Sequence, residues 1–219
     1  MATKKRQILK IFGSILLAIF IAACAGIIFF NITHSYYIVL GPSMTPTLNQ
    51  GVTFEDDSKD GVFVSKIKSY KRGDIVVANK NYGVQSEAEK DIIKRIIAIE
   101  GDKIKVELVD EFYRIILWES GQEESYVLNE PYLESYSLNN ALYTNFYIMV
   151  DEYNIQIDTD GFITIPENNV FYLGDNRPGS IDCSIYGPKP KKCIIGKVDY
   201  IIYGNKNLYL QVIKQFFGW

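Results

Sequence analysis

The chain has 219 residues, enough for one or two modest domains, with 47% hydrophobic residues and a formal net charge of −3. Four cations, Lys4, Lys5, Arg6 and Lys10, lie before any acidic residue, so the remainder carries 19 basic against 26 acidic residues and argues against a nucleic-acid partner. With one histidine, three cysteines and no Cys-x-x-Cys pair, the composition also argues against a zinc site, and no metal or cofactor is expected.

Ile11 to Ile32 is uncharged and apolar, and about 20 such residues are needed to span a bilayer. The positive flank places residues 1–10 in the cytoplasm, 11–32 in the membrane and 33–219 outside, by the positive-inside rule. Ala23-Cys24-Ala25 resembles a secretory cleavage site, and Ile21-Ala22-Ala23-Cys24 a lipoprotein processing site. The apolar run continues through Gly26-Ile27-Ile28-Phe29-Phe30, which favours an uncleaved anchor. His34, the only histidine, is the one residue from which a Ser-His-Asp triad could be built; a juxtamembrane polar filler is the simpler reading.

Next comes Gly41-Pro42-Ser43-Met44-Thr45-Pro46-Thr47-Leu48. The prolines fix their own φ and push Gly41 and Thr45 away from helix, so Ser43 sits on a stiff, non-helical element. A nucleophile needs a hydroxyl held at one angle beside backbone N–H groups that can meet an oxyanion. The bland alternative is a Pro/Ser/Thr-rich linker.

Val52–Phe54, Val62–Ile67 and Ile75–Ala78 read as short strands, the last entered through the turn Lys71-Arg72-Gly73-Asp74, and Tyr82–Lys90 reads as a loop. In Asp91–Asp102 the strand period puts Ile92, Lys94, Ile96 and Ala98 on one face, with Ile93, Arg95, Ile97 and Ile99 on the other. Lys94 is then either a snorkelling edge lysine or an amine that must lose its proton. Moving its pKa from about 10.4 to about 7 requires roughly 4–5 kcal/mol, within reach of burial, and a neutral amine is a competent base.

Residues 103–169 read as β-hairpins, with Asp160-Gly161 between Tyr153–Ile157 and Phe162–Ile165 as the clearest turn. Val170–Leu173 then leads into the turn Gly174-Asp175-Asn176-Arg177-Pro178-Gly179-Ser180. There Asp175 and Arg177 are placed to form an ion pair and Ser180 to hydrogen-bond an amine. Cys193–Tyr203 and Leu208–Ile213 read as closing strands, and Phe216-Phe217-Gly218-Trp219 as an aromatic tail that packs on the domain or touches the membrane surface.

Together these stretches resemble the bacterial type I signal peptidases, membrane-bound serine proteases that remove signal peptides. The resemblance rests on Gly41–Leu48, Arg72-Gly73-Asp74-Ile75-Val76, Lys94-Arg95-Ile96-Ile97 with Gly101-Asp102, Glu130-Pro131-Tyr132-Leu133, and Gly174-Asp175-Asn176-Arg177 with Ser180, Asp182 and Gly187. It implies a mostly β fold, an antiparallel sheet or partly open barrel behind one transmembrane helix, with residues 103–169 as an inserted hairpin region. It implies Ser43 as nucleophile, Lys94 as general base and Ser180 as the hydroxyl that orients Lys94. Asp175, Arg177 and Asp182 would support the site. Val39, Leu48 and Ile93 would line a pocket for small side chains, giving Ala-x-Ala specificity. The nucleophile's own N–H would bind the oxyanion, with no side-chain donor from Gly41. The implied partners are exported preproteins and the lipid bilayer, in the cell membrane.

The family has Asp-Ser-Arg where this chain has Asp182-Cys183-Ser184, so Asp182 lacks its arginine. A Cys183–Cys193 disulfide outside the membrane is the expected replacement. Alternatives are an organellar inner-membrane processing peptidase, a self-cleaving Ser/Lys repressor, and a non-enzymatic membrane-anchored β domain that binds envelope partners.

Overall fold

A computed structural model describes residues 2–51, 59–79, 91–133 and 140–204. The expected strands at Val52–Phe54 and Leu208–Ile213, the loop Tyr82–Lys90 and the tail Phe216–Trp219 lie outside the described residues. Two compact units are present, residues 1–35 and 36–219.

The first unit is a helix, α1 (Ala2–Thr33). Its stretch Lys10–Thr33 is long and apolar enough to cross a membrane, and almost all of its apolar side chains are exposed. The few polar side chains bond within the helix, Ser14 to the Lys10 carbonyl and Asn31 to the Ile27 carbonyl. His34 stacks on Phe30 at 4.6 Å, and its Nδ1 lies 2.9 Å from the Thr33 hydroxyl.

The second unit is mostly β. Strands β1 (His34–Ile38), β2 (Gly61–Ser65), β3 (Ile75–Asn79), β4 (Asp91–Ile99), β9 (Asn169–Leu173), β10 (Lys189–Pro190) and β11 (Ile194–Ile202) form one open sheet in the order β1-β2-β11-β3-β4-β9-β10. β11 runs antiparallel to β2 and β3, and β4 antiparallel to β3 and β9. A second antiparallel sheet, in the order β7-β6-β5-β8, is built from β5 (Lys103–Val109), β6 (Phe112–Trp118), β7 (Tyr126–Val127) and β8 (Ile163–Thr164).

Two departures from the expected hairpins occur in this region. Asn140–Glu152 is a helix, α2, whose buried residues Leu142, Phe146, Met149 and Val150 recur at helical spacing. Its tyrosines, phenylalanine and isoleucine imitate strand composition, but the period is 3.6 rather than 2. At Asp160-Gly161 the chain makes a tight turn that joins only one bridge, Ile157 to Ile163, because the Asp158 carboxylate accepts from the Asp160 and Phe162 N–H groups and curls the segment.

The main core joins both sheets and α2, through Ile96, Ile104, Leu117, Phe146 and Phe171 among others. A smaller core of Val39, Met44, Leu48, Val62, Val64 and Val77 lies under the Gly41–Leu48 segment. Met44 and Leu48 are fully buried, so the segment is anchored on either side of its half-buried turn, residues 45–47.

Candidate active site

Ser43 occupies the turn between β1 and β2. The turn is tied locally by Thr45 N–H to the Pro42 carbonyl at 3.0 Å and by Leu48 N–H to the Met44 carbonyl at 2.9 Å. Asn49 closes it from behind: its side-chain amide donates to the Val39 carbonyl at 2.7 Å and accepts from the Asp60 N–H at 2.8 Å. Asn49 has a φ of 57°, in the left-handed region that asparagine tolerates better than most residues.

Lys94 lies midway along β4, opposite Val76 of β3, and is 3% exposed. Its Nζ is 2.7 Å from Ser43 Oγ and donates to the Ile93 carbonyl at 2.9 Å. A distance of 2.7 Å is that of a short hydrogen bond. Ser180 is also buried, but its hydroxyl makes no hydrogen bond among the described residues, so the expected bond that orients the Lys94 amine is not formed. A Cβ built on Gly174 would stand 2.3 Å from both Ser180 Oγ and the Ser43 carbonyl oxygen. Glycine at 174 therefore allows the Ser180 turn to close onto the backbone of the Ser43 segment.

Behind Ser43 and Lys94 the charges are paired differently from the expectation. Asp175 does not pair with Arg177. It takes two bonds from Arg95, at 2.9 and 2.6 Å, and one from the Thr47 hydroxyl at 2.5 Å. Arg177 pairs instead with Glu130, both side chains being almost fully buried, and donates from Nε to the Gly174 carbonyl at 3.1 Å. The reason is reach across the fold. Strand β4 presents Arg95 directly to the turn after β9, and the Glu130 loop covers the other side. Burial opposes the Arg95 charge, but bonding to Asp175 outweighs it and holds the guanidinium above its ordinary range; Glu130 does the same for Arg177. Arg95 also lies 3.8 Å from the centroid of the Tyr132 ring, whose hydroxyl donates to Glu130 at 2.7 Å.

Asp182 is satisfied without an arginine. Its carboxylate caps the short helix α3 (Cys183–Tyr186), accepting from the Ser184 N–H at 3.1 Å and the Ser184 hydroxyl at 2.8 Å, and from the Gly174 N–H at 2.9 Å. The expected Cys183–Cys193 disulfide is not formed: both are free, buried thiols. Tyr172 lies beside both sulfurs. Burial pushes Cys193 up to about 11 and raises Cys183 as well, so both stay protonated and unreactive.

A groove of about 200 Å³ opens beside Ser43 and Lys94, walled by Val39, Val62, Val77 and Ile93, with Tyr37 and Asp91 among its other lining residues. Of the three expected pocket residues, Val39 and Ile93 reach this groove. Leu48 does not line it; it is spent in the core that holds the Ser43 turn down. Sequence reasoning gave no role to Arg95, Thr47, Asn176 or Glu130. The only available signal was that all four lie within the stretches that carry the family resemblance.

Residues 11–203 match the family described as signal peptidase, peptidase S26. The chain belongs to this family. It is 29% identical over 200 residues to signal peptidase I of Bacillus caldolyticus, covering 88% of this chain and 92% of that protein. It is 30% identical over 197 residues to signal peptidase I P of Bacillus subtilis subsp. natto, covering 87% and 88%. It is also 30% identical over 185 residues to thylakoidal processing peptidase 1 of Arabidopsis thaliana, covering 82% of this chain and 45% of that protein. As a member of the signal peptidase family, the chain is a serine peptidase, a hydrolase.

Proposed function

We propose that this signal peptidase cuts exported preproteins with a Ser43–Lys94 dyad, after small residues, while anchored to the membrane by its N-terminal helix. The observation that carries the reading is the 2.7 Å approach of a nearly fully buried amine to one serine hydroxyl. Burial among apolar side chains favours the uncharged amine, and only the uncharged amine accepts a proton.

The reaction then runs in two halves. Lys94 Nζ takes the Ser43 proton as Oγ attacks the scissile carbonyl carbon. The resulting oxyanion meets the Ser43 N–H. The carbon–nitrogen bond breaks, the proton passes from Lys94 to the leaving amine, and an ester on Ser43 remains. Water next gives a proton to Lys94 and attacks that ester, and Ser43 recovers its proton as the acid leaves. The Arg95–Asp175 and Arg177–Glu130 pairs keep the two turns in place.

The groove supports the specificity. Its branched apolar walls beside Ser43 suit small apolar side chains. Among the described residues β9 pairs with β4 only from Arg95 onward, which leaves the edge of residues 91–94 open to an extended substrate. Lys10–Thr33 supports the anchor, with the basic N-terminus in the cytoplasm and the β unit outside.

The test is cleavage of a preprotein in detergent by wild type, Ser43→Ala and Lys94→Ala. Both variants should lose cleavage while remaining folded; equal activity in all three rejects the dyad.

A further inference from the structure

We propose that Asn176 is a positioning residue that aims and polarises the oxyanion-binding N–H of Ser43. This rests on the reading of Ser43 as the nucleophile. The N–H in question belongs to the Pro42–Ser43 peptide, whose carbonyl oxygen is that of Pro42. That oxygen accepts three donors: the Thr45 N–H at 3.0 Å, the Thr45 hydroxyl, and Asn176 Nδ2 at 3.1 Å. A carbonyl has two lone pairs, so this one is saturated. Hydrogen bonds to a peptide oxygen draw electron density from the same amide and strengthen its N–H as a donor, by roughly 10–30% per bond.

Asn176 also holds the other side of the nucleophile. Its own N–H donates to the Ser43 carbonyl at 3.1 Å, and its Oδ1 accepts from the Gly179 N–H at 3.2 Å, in the turn that leads into Ser180. One side chain thus links the peptide before Ser43 to the turn that carries Ser180. Gly179 makes this possible: a Cβ there would come within 2.6 Å of Asn176 Nδ2. The arrangement matters because Gly41 offers no side-chain donor to an oxyanion, so the backbone N–H must do more.

The experiment compares Asn176→Asp, Asn176→Ala and Thr45→Val with wild type on a peptide substrate. It also compares their affinity for a peptide aldehyde, which forms a tetrahedral adduct with the serine, and for the matching peptide alcohol, which does not. Asn176→Asp keeps the acceptor for Gly179 but turns an oxygen toward the Pro42 carbonyl. Removing a direct oxyanion donor costs about 10²–10³ in kcat; this indirect loss should cost on the order of tenfold. KM and alcohol affinity should stay as in wild type, while aldehyde affinity falls with kcat. Thr45→Val, which leaves the Ser180 turn intact, should show a smaller fall of the same kind and serves if the Asn176 variants do not fold. Unchanged kcat in folded variants, or equal weakening of aldehyde and alcohol, overturns the proposal. Ser43→Ala is run beside them. If it still cleaves, the nucleophile reading itself fails; if it is dead while the Asn176 variants match wild type, only the role of Asn176 falls.

Discussion

Lys94 and Arg95 are neighbours on one strand, both cations and both buried, yet their surroundings are opposite in kind. Arg95 meets a carboxylate through two bonds, a backbone carbonyl and an aromatic face. Lys94 meets a serine hydroxyl and a backbone carbonyl beside an apolar groove. Alternation along β4 sends the two side chains to opposite faces, so adjacent residues enter different electrostatic environments. On one face the charge is fixed by a matching charge and stiffens the turn. On the other, the arrangement suits an amine that gives up its charge in order to react.

The sharpest way to break this contrast is Lys94→Arg. A guanidinium does not deprotonate at working pH, so kcat of the folded variant should fall about 10⁴-fold, as when a member of a serine triad is lost, and the melting temperature should fall as well, because a fixed charge is then buried without a carboxylate. Activity within tenfold of wild type would show that the two faces do not differ in the way described. Next in size is the scaffold side. Glu130→Gln leaves Arg177 buried without its carboxylate and should destabilise the fold by about 3–5 kcal/mol, as for other broken buried pairs. Replacing both, Glu130→Gln with Arg177→Met, should cost less than the sum of the single changes. Additive losses in denaturant unfolding would mean the pair is not coupled.

A third, smaller effect lies at Asp102, which is fully buried. Burial raises its pKa, but two bonds from Arg72 and the N–H groups of Ile99 and Ser120 outweigh this and leave it below the ordinary range. A depressed folded value means that its stabilisation is present above about pH 4 and is lost as pH falls through that lower value. Unfolding followed against pH should therefore show an acid limb that is shallower in Asp102→Asn. An identical limb in wild type and variant would remove Asp102 from the account.

The same contrast explains what was legible in the sequence. Ser43 sits between prolines and Lys94 sits in an alternating apolar run, so local pattern made both of them candidates, and the family resemblance chose them over a linker and an edge lysine. Strand β4 and the turn at Gly174–Ser180 were likewise visible as patterns. The partners of Asp175 and Arg177 were not, because they lie 80 and 47 residues away and depend on how the strands are ordered in the sheet. The nearer pairing, Asp175 with Arg177, was the natural guess from spacing and was wrong for that reason. Helix α2 was missed because aromatic and β-branched residues outweighed a helical period, and the disulfide was wrongly expected because the burial of Cys183 and Cys193 as free thiols beside Tyr172 could not be foreseen.

The smallest effect tests how Asp182 does without an arginine. Ser184 supplies two donors to one carboxylate oxygen, and only the hydroxyl is lost in Ser184→Ala. A single hydrogen bond to a charged group is worth about 1.5–3 kcal/mol, but the backbone cap and the Gly174 N–H remain, so the loss should sit at the low end. Ser184→Arg would instead place a long cation where a small hydroxyl is enclosed, since Ser184 is buried, and should be the more destabilising of the two. If unfolding shows Ser184→Ala to be neutral, Asp182 is held by backbone alone. The serine would then be filling space in α3 rather than standing in for the missing charge.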